Sequence, residues 1–204
     1  MQRRHYLHCQ QSGLFMLMDY QKLVRDCLKE NAAAQRQLYM HFAPVMMGVC
    51  YRYTKSLEDA EDVLQEAFIK VFKKLHQYKG DGELGAWIRR IMVTTALNYL
   101  KRNQHYQEEL VFTESTLHPV ATNNPDVLLD AKDLALLIRQ LPTGYQTIFN
   151  LHAVEGYNHA EIGQLLGINE GTSRSQYSRA RALLITWLAQ QTLETTKTVQ
   201  YVRP

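Results

Sequence analysis

The densest hydrogen-bonding chemistry in this sequence lies between Arg174 and Arg181. Arg174, Ser175, Gln176, Ser178, Arg179 and Arg181 offer what a nucleic acid asks for. A guanidinium bonds guanine O6 and N7 together, while Ser and Gln reach other base edges or phosphates. A second set lies upstream, where Arg90, Thr94, Asn98 and Lys101 recur at i, i+4, i+8 and i+11, with Arg89 and Arg102 beside them. A polar stripe ending in cations suits a nucleic-acid backbone, and the glycine-rich turn Gly80 to Gly85 before it allows close approach to a base. A third set is acidic: Glu58, Asp59, Glu61, Asp62 and Glu66 crowd the first half of Ser56–Leu75, and Lys70, Lys73 and Lys74 follow. Acids first and bases last also complement a helix dipole, so this polarity has a purely structural alternative. For both cationic sets the alternative is a solvated basic face.

These sets need rigid elements to position them. Asn158 is placed to cap a short helix, with Glu161 at the capping-box position. Ile162, Leu165 and Leu166 give that helix an apolar face, and Gly167 ends it by adopting a left-handed conformation. Ile168 plugs the turn into the core. A second helix starts at Asn169 and continues through Leu188, burying Tyr177, Ala180, Leu184, Trp187 and Leu188. Short helix, glycine turn and basic helix make a helix-turn-helix. Leu141-Pro142 opens the preceding helix, with Ile148, Phe149 and Leu151, and Glu155-Gly156 closes it.

Upstream, apolar residues recur at helical spacing from Asp19 to about Arg102 and strand-like alternation is absent. A first helix or pair covers Asp19 to Tyr53, punctuated by Asn31 and with a kink expected at Pro44. Ser56 caps the next, with Asp59 as capping-box partner. Leu57, Ala60, Leu64, Phe68, Val71 and Leu75 line its buried face. A turn at Tyr78 to Gly82 leads into a fourth helix from about Glu83 to Arg102, burying Leu84, Trp87, Ile88, Ile91 and Leu100.

Composition bounds the rest. The chain has 204 residues, 46% hydrophobic and 21% charged, with a net charge of +3. That is ordinary globular composition, enough for one or two domains. Three scattered cysteines fit a reducing compartment, with Cys27 and Cys50 as small apolar fillers. No glycine-rich phosphate loop, metal cluster or paired nucleophile and base is present, and Glu161, His159 and Cys50 read as a cap, a surface residue and a core filler. The apolar burst Leu14 to Met18 is too short for a signal-peptide core or a membrane span, so the expected location is cytoplasmic. Residues 1–18 read as an extension, with Met16 and Met18 as alternative starts. Residues 105–125 read as a linker and 191–204 as a frayed tail.

Several runs resemble the extracytoplasmic-function (ECF) sigma factors of bacterial RNA polymerase. Leu141-Pro142, Phe149-Asn150-Leu151, Glu155-Gly156-Tyr157, Glu161-Ile162, Leu166-Gly167-Ile168, Glu170 to Ser175 and Arg179-Ala180-Arg181 are similar to that family's C-terminal domain. Ser173 stands where the family often has an apolar residue. Asp59 to Phe68 resembles the segment that grips the clamp helices of the polymerase largest subunit. Trp87 to Ile91 with Leu97 to Arg102 resembles the helix that melts and reads the element near minus ten; Thr94 and Asn98 stand where asparagine and aspartate are frequent.

The resemblance implies an all-α protein of two small helical domains, residues 19–104 and 126–190, joined by a flexible linker, the second a helix-turn-helix. It assigns core-polymerase binding to Asp59, Asp62, Gln65 and Glu66. The downstream promoter element falls to Arg89, Arg90, Thr94, Asn98, Lys101 and Arg102. The upstream element, near minus thirty-five, falls to Arg174, Ser175, Gln176, Ser178, Arg179 and Arg181. Core RNA polymerase and promoter DNA are the implied partners, with room for a membrane-associated anti-sigma factor. No catalytic residue, cofactor, metal or small-molecule substrate is implied. A helix-turn-helix regulator acting without polymerase, a helical adaptor and an enzyme are the competing readings.

Overall fold

The computed structural model describes residues 19–103 and 131–201, with side chains in the second stretch described for residues 134–190; every regular element among them is helical. Asp19 accepts the Lys22 amide and opens α1, Tyr20–Leu28. Asn31 accepts the amides of Ala33 and Ala34 and opens α2, Ala32–Tyr51. These caps satisfy donors that a helix start leaves without intrahelical partners. Pro44 does not end α2, and its ring lies on the exposed side.

Ser56 caps α3, Leu57–Lys74, by accepting the Asp59 amide. The reciprocal half of the expected capping box is replaced: the Asp59 carboxylate accepts the Tyr99 hydroxyl at 2.5 Å. Leu57, expected inside, is 53% exposed because it lies at the helix's first position, ahead of the buried stripe that begins at Ala60. A 3-10 turn, Leu75–Gln77, leads through Gly80, in the left-handed region at φ 82°, to α4, Leu84–Arg102. Leu84, Ile88 and Leu100 are buried as expected, while Trp87 and Ile91 are half-buried.

Helices α1–α4 enclose one apolar core around Leu38, Val63, Val71, Ile88 and Met92, all at most 1% exposed. Cys27 and Cys50 are buried in it, and burial pushes the Cys50 thiol up to about 12.

The second group comprises α5 (Ala131–Gln140), α6 (Thr143–Phe149), α7 (His159–Leu166) and α8 (Glu170–Tyr201). α6 continues as a π-helical turn, Asn150–Val154, and Gly156 at φ 81° redirects the chain. α8 runs past residue 190, where a frayed tail was expected. No glycine or proline interrupts the sequence between Thr172 and Arg203, so nothing local stops the helix. The extension at 1–18 and the linker at 105–125 lie outside the described residues.

The two groups touch. Ile148, Leu151 and Ile162 join the apolar cluster of α1–α4, while Leu137, Ile138, Leu141, Tyr145, Ala180 and Leu184 form a smaller one of their own. Among the described residues no helix is long and apolar enough to cross a membrane.

Candidate nucleic-acid interface

The helix-turn-helix is built by its punctuation. The Asn158 side chain accepts the Glu161 amide at 2.9 Å and the Glu161 carboxylate accepts the Asn158 amide at 2.8 Å, completing the capping box. α7 ends on Gly167 at φ 74°, a left-handed conformation that costs glycine little. The Asn169 side chain accepts the Thr172 amide at 2.7 Å and starts α8. Gly163, which the sequence reading passed over, fixes the approach of the two helices: a Cβ there would stand 2.8 Å from the Ile168 carbonyl oxygen. A glycine inside a capped helix is costly enough to be a signal for such an approach.

Behind this turn lies an aromatic cluster. His152 and His159 stack with ring centroids 4.3 Å apart and planes 19° apart, and Tyr177 meets His152 edge-on at 4.5 Å. His159 Nδ1 lies 2.9 Å from the hydroxyl of buried Ser173. The polar Ser173 thus has a partner in its buried position. His159, expected at the surface, is half-buried, and burial first, then His152 and Arg174, hold its pKa down.

α8 presents Arg174, Ser178 and Arg181 at i, i+4 and i+7 on its exposed side, with Ser175 beside them. The Arg174 guanidinium pairs with Glu170 one turn back. Arg179 is half-buried. Gln176 departs from the expected reading face: it is 8% exposed and lines a cavity of about 90 Å³ with Leu97, Leu100, Ile148 and Leu166. Its position on the helix points it at α4 rather than outward.

On α4 the expected stripe is divided. Arg90 and Asn98 are exposed. The Thr94 hydroxyl donates to the Arg90 carbonyl of its own helix at 2.9 Å. Arg89 donates to Glu155 at 2.6 Å, and Lys101 donates to the Leu165 carbonyl at 2.8 Å. Arg102 pairs with Glu66 at 2.6 Å, and Lys70 pairs with the same carboxylate at 2.7 Å. These two bonds hold the Glu66 carboxyl below its ordinary value. Asp62 and Gln65 are exposed, whereas Asp59 and Glu66 are half-buried and bonded to α4 through Tyr99 and Arg102.

The geometry gives a basic, outward helix on a capped turn, a second cationic helix, and an acidic face on α3. The Sigma-70 region 2 family matches residues 38–106 and the Sigma-70 region 4 family matches residues 131–184. The ECF RNA polymerase sigma-E factor of Escherichia coli K12 is 30% identical over 172 residues, covering 79% of this chain and 90% of that protein. The ECF RNA polymerase sigma factor SigE of Mycolicibacterium smegmatis is 30% identical over 163 residues, covering 78% of this chain and 63% of that one. A solved complex of the sigma factor RpoE with the anti-sigma factor NepR from Bartonella quintana is similar at a TM-score of 0.47 and 21% identity, covering 76% of this chain and 96% of that one. With both sigma regions matched in order, the chain belongs to the ECF family of RNA polymerase sigma factors.

Proposed function

We propose that this chain binds core RNA polymerase, directs it to promoters and assists strand opening, the chemistry of RNA synthesis belonging to the polymerase. The observation that carries the reading is the outward row Arg174, Ser178 and Arg181 on a helix fixed by a complete capping box and a left-handed glycine. That row suits the major groove of the upstream element, with Ser175 and Arg179 flanking it. α4 and the loop before it are assigned to the downstream element. There a base leaves the stack, and Arg90, Asn98 and Arg102 hold the displaced strand's backbone. Asp62 and Gln65, with Asp59 and Glu66 behind them, are assigned to the polymerase. Action is placed in the cytoplasm, and family membership supports a membrane-associated anti-sigma factor as a further partner.

Run-off transcription with core polymerase across genomic promoter fragments tests this. The wild-type chain is expected to yield discrete transcripts that core alone does not. Arg174→Ala with Arg181→Ala should weaken promoter selection by about 1–3 kcal/mol for a bidentate base contact. Asp62→Lys should weaken co-purification with core. Specific duplex binding without polymerase, and no stimulation of core, would instead favour a stand-alone regulator.

A further inference from the structure

We propose that the apolar run Leu14 to Met18 seats in a groove between α2 and α4 of its own chain; what the seated run then covers rests on the proposed promoter-binding function.

The groove has a volume of about 670 Å³. α2 supplies Phe42, Val45 and Met46 as one wall and α4 supplies Ala86 and Val93 as the other, with Val154 and Tyr157 beside them. Val45 is 65% exposed, so this wall is apolar and open to water. The two helices converge at Phe42, whose ring would lie 3.3 Å from a Cβ on Gly85. Covering such a surface with matching apolar groups is favourable, and an uncovered one marks a place where something docks.

The chain itself arrives at this place. Tyr20, at the start of α1, packs on His41 and Phe42 with ring centroids 5.7 and 5.9 Å away, and its hydroxyl lies 2.9 Å from His41 Nε2. Only Lys29, Glu30 and Asn31 join α1 to α2, so the pair is an antiparallel hairpin. Going backwards from Tyr20 is therefore going forwards along α2, from His41 toward Val45 and Met46. Continuing the pairing sets Leu17 and Met16 level with those two residues. Val45 stands one turn past His41, about 5.4 Å along the axis. Leu14 to Met18 spans about 7.5 Å as helix and about 17 Å extended, so either conformation reaches.

The chemistry matches as well. Leu14-Phe15-Met16-Leu17-Met18 carries no charge. The groove asks for none, because Arg89 is paired with Glu155, His41 is hydrogen-bonded to Tyr20, and the exposed Arg90 and Glu83 at its edge are of opposite sign. A charged peptide would gain from one of these and lose to the other, whereas a neutral apolar run gains from both walls. Tethering favours this chain's own run over a second copy's, since a short link gives an effective concentration on the order of millimolar. Once seated, the run narrows the access of a phosphate to Arg90, while Asn98 and Arg102 lie outside the groove. A chain begun at Met18 lacks the run and leaves Arg90 open.

Thiol reactivity reads the seat in the full-length chain carrying Cys9→Ser, in which Cys27 and Cys50 are buried. Val45→Cys on one wall, or Ala86→Cys on the other, supplies the accessible thiol for an uncharged maleimide. Adding Leu14→Gln with Leu17→Gln should speed the reaction at both positions roughly tenfold or more, since labelling follows the unseated fraction. Lys73→Cys, on the exposed side of α3, should react alike in both backgrounds. Two walls read separately guard against a cysteine that itself disturbs the groove, and a chain begun at Met18 repeats the comparison. Equal rates with and without the glutamines at both walls overturn the seat. Protection that strengthens as the protein is concentrated places a second copy's run in the groove and overturns the intrachain assignment. In complex with core polymerase, the Leu14→Gln, Leu17→Gln chain should also bind a pre-opened promoter bubble roughly threefold more tightly, and Arg90→Ala should abolish that gain. Freed thiols without tighter binding overturn the covering of Arg90 and leave the seat established. Binding by neither chain counts against the downstream-element reading, while the thiol rates still decide the seat.

Discussion

Helices α1–α4 bury Leu38, Val63, Val71, Ile88 and Met92 against one another, whereas α5–α8 keep a cluster of Leu137, Ile138, Leu141, Tyr145, Ala180 and Leu184 and give Ile148, Leu151 and Ile162 to their neighbour. Where the first group is shaped by volume, the second is shaped by its backbone. Gly156 and Gly167 hold left-handed turns, the capping box fixes the start of α7, and Gly163 sets how closely the chain returns. A reading head held this way owes its shape to local geometry and to the surface it rests on. The first group therefore answers mainly to changes of side-chain size, the second to changes at turns and caps.

The largest expected effect comes from a cavity. Leu38 is wholly buried, and Leu38→Ala should cost about 2–5 kcal/mol. Leu184→Ala, in the smaller cluster, should fall at the low end of that range or below. Urea denaturation followed by helicity measures both. If Leu184→Ala costs more than Leu38→Ala, the second group depends on its own core as heavily as the first, and the contrast fails.

Glycines sharpen it next. A Cβ at Gly163 meets the Ile168 backbone at 2.8 Å, so Gly163→Ala should destabilise by about 1–3 kcal/mol and distort the turn that aims α8. Gly48 of α2 is exposed with nothing within 4 Å of such a Cβ, so Gly48→Ala should stabilise by about 0.5–1 kcal/mol. Opposite signs are expected from the same chemical change. Asn158→Ala comes third, at about 0.5–2 kcal/mol, because it strips the Glu161 amide of its partner. It should also weaken upstream-element recognition by loosening α7. Transcription unaffected by Asn158→Ala would separate cap from reading head.

Much of this was legible in the chain itself, and what escaped has a common cause. Helical period placed most of the buried faces of α3 and α4, and Asn158, Glu161 and Gly167 marked α7 because caps and left-handed turns are written in single residue types. Period says that a side chain is buried but not against what. Gln176 looked like part of a basic reading face and instead packs toward α4. His159 looked like surface and instead stacks on His152. The contacts of Lys55 and Arg139 with the other group had no signature, since a cation near a helix end is ordinary until another helix end meets it, and Glu155 read only as the close of its helix. The π-helical turn at Asn150–Val154 was invisible for the same reason, its Asn150 being fixed by the Arg52 carbonyl of the other group.

The smallest effect isolates a feature that only the second group has. His159 on α7 stacks on His152 from the π-helical turn, with Ser173 at its Nδ1 and Tyr177, Glu170 and Arg174 of α8 around it. Burial, then His152, then Arg174 disfavour its protonated form, with only Glu170 acting the other way. An unfolded chain takes up this proton near the ordinary histidine value of 6.5, the folded chain only at lower pH. Within that window the unfolded state binds more protons, so stability is full above 6.5 and declines as pH falls through the folded value. Glu66, also held down, releases its contribution only below the ordinary carboxylate value of 4.5, which leaves the histidine window separate. The urea midpoint of the wild type should therefore fall between about pH 7 and about pH 5.5, while His159→Gln, which keeps a hydrogen-bonding group near Ser173, should be flatter. Leu184→Ala and Leu38→Ala should both lower the midpoint while leaving its pH dependence unchanged, because the slope depends only on the difference in protons bound by the unfolded and folded states. A wild-type midpoint that stays level across this range would show that His159 accepts the proton freely, and the second group would then differ from the first only in its turns and caps.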